Sequence, residues 1–282
     1  MKALIAGLGL IGGSMAKALI RNTDLEVLGL DRDISVVRAA LDDGAIHSAF
    51  LPEDIGEIDL LFVALRPGDA VRFLKHALPR MKPGALAADL CGVKCHVVRE
   101  ADPIARGRGV RFMGAHPMAG REVSGYRSSD ADLFKGASLI LTPPDGQPNA
   151  ATEELAKLAA VIGFGRTVVC TPEEHDRMIA YTSQLAHAAS SAYVMSPAAP
   201  DHTGFSAGSF RDLTRVARLD ADMWAELFDM NRDALSCELD GLIGRLSEMK
   251  AAVDGRDLAK LRALLDAGNR RKLQLLGLEG KA

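Results

Sequence analysis

The 282-residue sequence predicts an α/β protein in which a mostly parallel sheet is followed by an all-helical region. Short apolar runs alternate with helical patterns from residue 1 to about residue 170, as a parallel sheet with crossover helices requires. After Cys170 the patterns are helical only. We therefore predict two domains, residues 1–170 and residues 171–282.

The start of the chain has the pattern of a dinucleotide-binding (Rossmann) unit. An apolar run of strand length is followed by the turn Gly7-Leu8-Gly9-Leu10-Ile11-Gly12, a helical pattern and a second apolar run that ends at Asp31. In this pattern the three glycines permit a tight turn, a close approach of the backbone to a pyrophosphate, and close packing of helix on strand. The sequence therefore predicts that the chain binds a nicotinamide or flavin dinucleotide.

An acid at position 31 favours NAD⁺. Its carboxylate can accept hydrogen bonds from the adenosine ribose and repels the 2′-phosphate of NADP⁺, although the neighbouring Arg32 could attract that phosphate. The predicted cofactor-binding residues are Gly7, Gly9, Leu10, Ile11, Gly12, Asp31, Arg32 and Leu65.

Further apolar runs predict the rest of the sheet. The predicted strands after the first are 25–30, 58–64, 85–89, 110–115, 138–141 and 167–170, with helices at 35–41 and 70–78. Ligands of such sheets bind beyond the carboxyl ends of the strands. His116 follows one of these ends, where its imidazole would lie beside a bound nicotinamide and could take a proton from a hydroxyl. We predict that His116 is the catalytic base.

Composition narrows the class of protein. The formal net charge of -3 gives no general attraction to nucleic acid or to anionic membranes. No stretch has the length and apolarity of a membrane span, and we expect a cytoplasmic protein. The four cysteines form no CxxC pair, so reduced thiols are expected rather than disulfides or a metal site.

The helical half starts at Thr171-Pro172, a capping hydroxyl followed by proline, and its first helix is predicted to reach about Met195. Further helices are predicted at 209–217, 220–250 and 255–275. At 100° per residue, Asp176, Ser183 and His187 form one polar stripe, within about 20° of one another, which faces either solvent or a cleft. His175 lies off that stripe. Arg211 and Arg215, four residues apart, would share a helix face suited to a carboxylate.

These motifs resemble the prephenate/arogenate dehydrogenase family of tyrosine biosynthesis over nearly the whole chain. The segments that carry the resemblance are GLGLIGGS at 7–14, DLCGVK at 89–94, HPMAGREVSG at 116–125, LFKGASLILTP at 133–143, EEHD at 173–176, SQLAH at 183–187, GSFRDLTRVA at 208–217 and MW at 223–224.

The resemblance implies a Rossmann domain, a helical domain that forms a homodimer, and an active site between the two domains. The implied reaction is an NAD⁺-dependent oxidative decarboxylation. The resemblance also implies that His116 is the base and that His187 and Arg215 contact the substrate. Glu122, Ser124 and Ser183 would belong to the polar surroundings of that substrate. Many members carry serine where this chain has Gly92, and that hydroxyl assists the histidine, so Ser124 or a water could replace it here.

Three alternatives remain open at this stage. Arogenate could replace prephenate as the substrate, although the stripe offers Ser183 and His187 and no well-placed carboxylate for the ammonium group of arogenate. A dehydrogenase of the 3-hydroxyacid or 6-phosphogluconate type would use a lysine-centred site instead. A non-catalytic dinucleotide sensor would leave His116, His187 and Arg215 without a role.

Overall fold

The computed structural model describes residues 1–121 and 123–279. Its backbone divides into two compact units, one from Met1 to Arg232 and one from Asp233 onward. The first unit contains the whole sheet and the helices up to residue 230. The second consists of most of one long helix and all of another. The predicted division near residue 170 stays a prediction.

Eight strands form one sheet in the order β3-β2-β1-β4-β5-β6-β7-β8. The strands are β1 (Lys2–Ala6), β2 (Glu26–Leu30), β3 (Ser48–Ala49), β4 (Leu60–Val63), β5 (Leu86–Asp89), β6 (Arg111–Pro117), β7 (Ser138–Thr142) and β8 (Arg166–Val169). All neighbours are parallel except β6 and β7, which are antiparallel. The predicted mostly parallel Rossmann sheet is confirmed, and the two-residue strand β3 is an addition to the predicted set.

Helices connect the strands and bury apolar side chains on both faces of the sheet. They are α1 (Leu10–Asn22), α2 (Ile34–Asp42), α3 (Pro67–Ala77), α4 (Cys95–Arg108) and α5 (Ala150–Val161). One buried cluster includes Ile5, Met15 and Phe62, and the other, on the opposite face, includes Leu4, Leu61 and Leu74. Residues of β1 and β4 alternate between the two clusters, as the period of a strand requires.

The predicted helical half is present, but two of its helices are interrupted. The helices are α6 (Pro172–Ile179), α7 (Leu185–Val194), α8 (Gly208–Thr214), α9 (Ala221–Met230), α10 (Arg232–Asp254) and α11 (Leu258–Glu279). A π-helical segment, Ala180–Gln184, joins α6 to α7. The helix predicted over 220–250 is two helices, because Asn231 between them has φ of -119° and uses its side chain for hydrogen bonds to earlier residues. Within 1–121 and 123–279, none of the helices has both the length and the apolarity to cross a membrane.

The turn after β1 explains the spacing of the glycines. Gly7 has φ of +91°, and a Cβ there would lie 2.5 Å from the carbonyl oxygen of Ala64 at the end of the neighbouring β4. A Cβ on Gly12 would lie 1.8 Å from the carbonyl oxygen of Gly7, so α1 can start close to β1 only when position 12 has no side chain. The order of the sheet reverses at β1 and β4, and this turn therefore borders the switch-point crevice where such folds bind ligands.

Gly12→Ala should destabilise the fold by about 1–3 kcal/mol or more, because the new methyl group overlaps backbone that has no room to move. Gly107→Ala is the matched control. Gly107 lies within α4 with no described atom near its Cβ position, and the substitution should stabilise by roughly 0.5–1 kcal/mol. Urea unfolding of both variants measures the difference; a Gly12→Ala protein as stable as the parent would contradict this packing.

Candidate active site

The glycine turn and Asp31 form a cradle at the carboxyl ends of β1 and β2. Asp31 Oδ2 accepts the N–H of Leu8 at 2.8 Å and Oδ1 accepts the N–H of Asp33 at 3.0 Å, so the carboxylate is held beside the turn. No described atom lies within 4 Å of a Cβ built on Gly9, which leaves the N-terminus of α1 open to a ligand. Open backbone at a helix N-terminus beside a fixed carboxylate fits the pyrophosphate and adenosine ribose of a dinucleotide.

Other predicted cofactor residues lie around the same cradle. Leu10 and Ile11 begin α1, and the side chain of Leu65 is next to Gly7, 2.8 Å from the position of an added Cβ. Arg32 is exposed, beyond the end of β2.

His116 lies near the carboxyl end of β6 and is the first member of a hydrogen-bonded chain of three side chains. Its Nδ1 is 2.9 Å from Nε2 of His175, and Nδ1 of His175 is 2.7 Å from Oδ1 of Asp176. His175 and Asp176 are buried in α6, whereas His116 is partly exposed. The three side chains therefore connect the end of the sheet to the first helix after it.

The direction of these hydrogen bonds fixes the tautomers. A carboxylate only accepts, so His175 donates its Nδ1–H to Asp176 and, as a neutral ring, has an unprotonated Nε2. That nitrogen can only accept, so His116 must donate its Nδ1–H to it. In neutral His116 the unprotonated nitrogen is then Nε2, which is the nitrogen that a general base needs.

The surroundings keep both rings neutral and the carboxyl group ionised. Burial lowers the pKa of His116 well below its ordinary 6.5, and the charge of Lys94 lowers it further. Burial also lowers the pKa of His175, although the hydrogen bond to Asp176 opposes this. For Asp176, burial would raise the pKa, but hydrogen bonds from His175 and from the amides of Cys95 and Lys94 outweigh it and the pKa is lowered.

Asp176 is itself held by the start of α4. Its Oδ1 accepts the N–H of Lys94 at 2.7 Å and its Oδ2 accepts the N–H of Cys95 at 2.9 Å. These N–H groups belong to the open end of a helix, where a negative charge is favoured. One carboxylate therefore caps α4, orients His175 and attaches α6 to the sheet.

Gly92 and Leu227 border the free nitrogen of His116. A Cβ built on Gly92 would lie 4.0 Å from His116 Nε2 and 3.4 Å from Leu227 Cδ2, the latter an ordinary van der Waals contact. Position 92 therefore lies beside the base, and a serine there would bring its hydroxyl to Nε2. The side chain of Ser124 is exposed, and its carbonyl oxygen accepts the hydroxyl of Ser128 at 3.3 Å, so a role of Ser124 beside the base stays a prediction.

Helix α9 links His187 of the helical half to the region around Gly92. The ring of Trp224 stacks on His187 with centroids 3.7 Å apart, and Leu227, one turn later, contacts the Gly92 position. Residues three apart share a helix face, so His187 and His116 border one side of α9. Hydrogen bonds from Gln184 to the carbonyl of Leu227 at 3.1 Å and from Asn231 to Gln184 at 2.7 Å fix this helix.

The side chains of His187 and Arg215 are close enough to influence each other. His187 donates its Nδ1–H to the carbonyl oxygen of Ser183 at 2.9 Å, which leaves Nε2 as its second polar atom. Burial lowers the pKa of His187, and the positive charge of Arg215 lowers it further. Arg215 follows α8 and starts a short 3₁₀ turn, Arg215–Ala217, rather than continuing the α-helix that contains Arg211.

Helix α9 also contacts the end of β4 through two charged side chains. Glu226 Oε1 accepts the N–H of Gly68 in the first turn of α3 at 2.6 Å, and Arg66 pairs with Asp220 at 2.7 Å. Leu65, Arg66 and the first turn of α3 are thereby joined to the helix that also borders His116. Helix α9 therefore contacts both the segment that follows β4 and the Gly92 position next to His116.

One sequence prediction about this site is wrong. Asp176 was predicted to share a polar stripe with Ser183 and His187 that faces a cleft or solvent. Instead it is buried against the start of α4. His175, which was placed off that stripe, is the residue that contacts His116. The regular 100° spacing fails because the π-helical segment changes the angular relation between α6 and α7. The adjacent His and Asp in the EEHD segment were the available signal. Glu122 lies outside the described residues.

The comparisons with known proteins agree with this architecture. Residues 15–177 match the family model described as prephenate dehydrogenase, nucleotide-binding domain, and residues 171–267 match prephenate dehydrogenase, dimerization domain. The prephenate dehydrogenase of Lactococcus lactis is 30% identical over 277 residues, covering 95% of this chain and 76% of that protein.

Two solved structures are similar over almost the entire chain. The prephenate dehydrogenase of A. aeolicus in complex with hydroxyphenyl propionate and NAD⁺ has a TM-score of 0.85 and 26% identity, covering 98% of each chain. The arogenate dehydrogenase of Synechocystis has a TM-score of 0.79 and 25% identity, covering 98% of this chain and 100% of that one. The chain described here belongs to the prephenate dehydrogenase family, whose members are oxidoreductases with a nucleotide-binding and a helical domain.

Proposed function

We propose that the protein is an NAD⁺-dependent prephenate dehydrogenase that converts prephenate to 4-hydroxyphenylpyruvate and CO₂ in tyrosine biosynthesis. The observation that carries the proposal is the chain His116–His175–Asp176, which leaves Nε2 of neutral His116 as the proton-accepting nitrogen at the carboxyl ends of the strands, where the dinucleotide cradle also lies. The NAD⁺ in the similar A. aeolicus enzyme and the name of the L. lactis relative support the choice of cofactor and substrate.

The residues of this chain account for the proton transfer. Bound NAD⁺ supplies the acceptor for the two electrons that leave the ring carbon bearing the substrate hydroxyl. His116 Nε2 takes the hydroxyl proton and keeps its Nδ1–H bonded to His175, so the positive charge formed on His116 is stabilised by His175 and, through it, by Asp176. Loss of CO₂ from the opposite ring carbon makes the ring aromatic.

The remaining predicted residues bind and orient the substrate in this proposal. Arg215 faces a carboxylate of the substrate, because a guanidinium binds a carboxylate with two hydrogen bonds, and His187 contacts the substrate beside it. Ser183, Ser124 and Glu122 belong to the polar surroundings. Arogenate is the alternative substrate, and the similarity to the Synechocystis arogenate dehydrogenase supports it. Prephenate is preferred here because His187 and Arg215 offer no carboxylate for the ammonium group of arogenate.

His116→Asn should lower kcat by about 10²–10⁴-fold, the usual contribution of a general base. NAD⁺ affinity should change little, because the cradle is formed by other elements. The exposed His76 gives the matched control, His76→Asn, which should retain parental activity. Absorbance at 340 nm with prephenate and NAD⁺ measures the rates. If His116→Asn keeps most of its activity, the base lies elsewhere and His187 becomes the candidate.

NAD⁺ should have a higher kcat/KM than NADP⁺. The Asp31 carboxylate is fixed by the amides of Leu8 and Asp33, so it cannot turn away from a 2′-phosphate without breaking these bonds. Arg32→Ala is the informative companion variant, and its kcat/KM for NAD⁺ should stay near that of the parent. If the parent protein has equal kcat/KM values for the two cofactors, or a higher value for NADP⁺, the role of Asp31 is contradicted.

Arg215→Ala should raise KM for prephenate far more than it lowers kcat, because the contact is present in both the ground state and the transition state. Losing a charge-assisted contact to a buried carboxylate is worth roughly 2–5 kcal/mol. Arg99→Ala, which removes an exposed guanidinium from α4, is the control. Steady-state kinetics with both substrates decide two questions: an unchanged KM removes Arg215 from the site, and a higher kcat/KM for arogenate reverses the choice of substrate.

The proposal includes a homodimer formed through the helical half. Large apolar side chains are exposed on α10 and α11, and such surface in a folded protein usually marks an interface. These side chains are Ile243, Leu246, Val253, Leu258, Leu265, Leu273, Leu275 and Leu276. Light scattering at micromolar concentration should give twice the chain mass, and Leu265→Glu should lower it. A monomeric parent protein would remove the dimer from the proposal.

A further inference from the structure

Lys94 and Asp89 form an ion pair with fully buried side chains at the sheet edge that carries His116. Asp89 ends β5, and the Lys94 ammonium lies against its Oδ1. The same ammonium donates to the carbonyl oxygen of Ala115, the residue before His116, at 2.7 Å. The backbone N–H of Lys94 donates to Asp176. Lys94 therefore bonds to the residue before His116 through its side chain and to Asp176, at the other end of the hydrogen-bonded chain, through its backbone.

Fold stability alone is a poor explanation for this pair. Removing two charges from water is expensive, and apolar side chains of similar volume often give equal or higher stability. The pair is also incompletely satisfied, since Asp89 Oδ2 has no hydrogen-bond partner in the part of the chain that the structure describes. A pair that adds little stability calls for another explanation, and the hydrogen bond from the ammonium to the residue before the base points to a role in the site.

We infer that Lys94 is a positioning residue for the proton transfer: its buried ammonium, bonded to Asp89 and to the carbonyl oxygen of Ala115, fixes the strand end that carries His116 and places a positive charge near the imidazole that takes the substrate proton. The inference rests on the proposed role of His116 as the base. It gives the DLCGVK segment, residues 89–94, a task distinct from contact with substrate or cofactor.

The charged groups around His116 determine whether the loss of the Lys94 ammonium raises or lowers the pKa of His116. From α6, His175 contacts the ring and Asp176 lies behind it. From the segment between β5 and α4, the Lys94 ammonium bonds to the carbonyl oxygen of Ala115, the residue before His116, and to Asp89. Helix α9 presents the apolar Leu227, while its Glu226 is bonded to the N–H of Gly68. The two carboxylates favour protonated His116, and the Lys94 charge lowers the pKa of His116. Removing the ammonium must therefore raise it.

The test compares Lys94→Gln with the charge-free pair Lys94→Gln/Asp89→Asn. The double variant removes the unpaired buried carboxylate that would threaten folding of the single variant, and its two amides can hydrogen-bond to each other. The His116 pKa is measured by NMR titration of the imidazole in the protein without substrate, and the acidic limb of the kcat/KM profile is measured with prephenate. Lys75→Met, which removes an ammonium from the distant surface pair Lys75–Glu100, is the control.

Lys94→Gln should titrate His116 at higher pH than the parent, and the double variant should lie between the two, because Asp89→Asn also removes a more distant carboxylate that favours protonated His116. On the acidic side of the profile, kcat/KM should fall about threefold or more relative to its plateau, as a half-unit shift requires. The control should match the parent. A purely structural role predicts a different result: the double variant regains stability and both the His116 titration and the acidic limb stay at the parental pH, which would overturn the inference. The titration needs no substrate, so a parent protein that fails to oxidise prephenate would reject the proposed function while the titration still decides the role of Lys94.

Discussion

The Asp176 carboxylate is the interaction on which the rest of the site depends. It accepts two N–H groups from the start of α4 and one from His175, so a single buried charge has three donors. Such a carboxylate stays ionised, and its charge is placed at the favourable end of a helix dipole. Because Asp176 is ionised, His175 has one possible tautomer, and because His175 has one tautomer, so does His116.

The same carboxylate joins the two kinds of secondary structure in the first compact unit. Helix α4 packs on the sheet and α6 is the first helix after it, and Asp176 attaches one to the other. The backbone of Asp176 extends the connection, since its carbonyl oxygen accepts the amide of Asn231 at 2.8 Å. Asn231 follows α9, the helix that carries Trp224 and Leu227. One residue thus links the strand end that carries His116 to the helix that stacks on His187.

Local patterns were sufficient to predict the sheet, the glycine turn, Asp31 and the position of His116, because each follows from a short stretch with a regular period or a fixed spacing. The helical half was harder to predict. Periodicity assumes a continuous α-helix, and the π-helical segment 180–184 breaks that assumption between Asp176 and His187. His175 was therefore placed away from the site. The break at Asn231 depends on hydrogen bonds to residues 47 and 55 positions earlier in the chain, which no local pattern contains. Lys94 and Asp89 are close in sequence, but the contact of Lys94 with Ala115 on the neighbouring strand is a tertiary one that the local pattern does not show.

The tautomers of the two imidazoles test the central claim most directly. Nitrogen-15 NMR of the protein labelled at histidine, recorded at a pH where His116 and His175 are neutral, distinguishes protonated from unprotonated ring nitrogens. The account predicts that both rings carry their proton on Nδ1 and that Nε2 of His116 is unprotonated. A His116 ring with its proton on Nε2 would contradict the account, because that nitrogen could not accept a proton from the substrate.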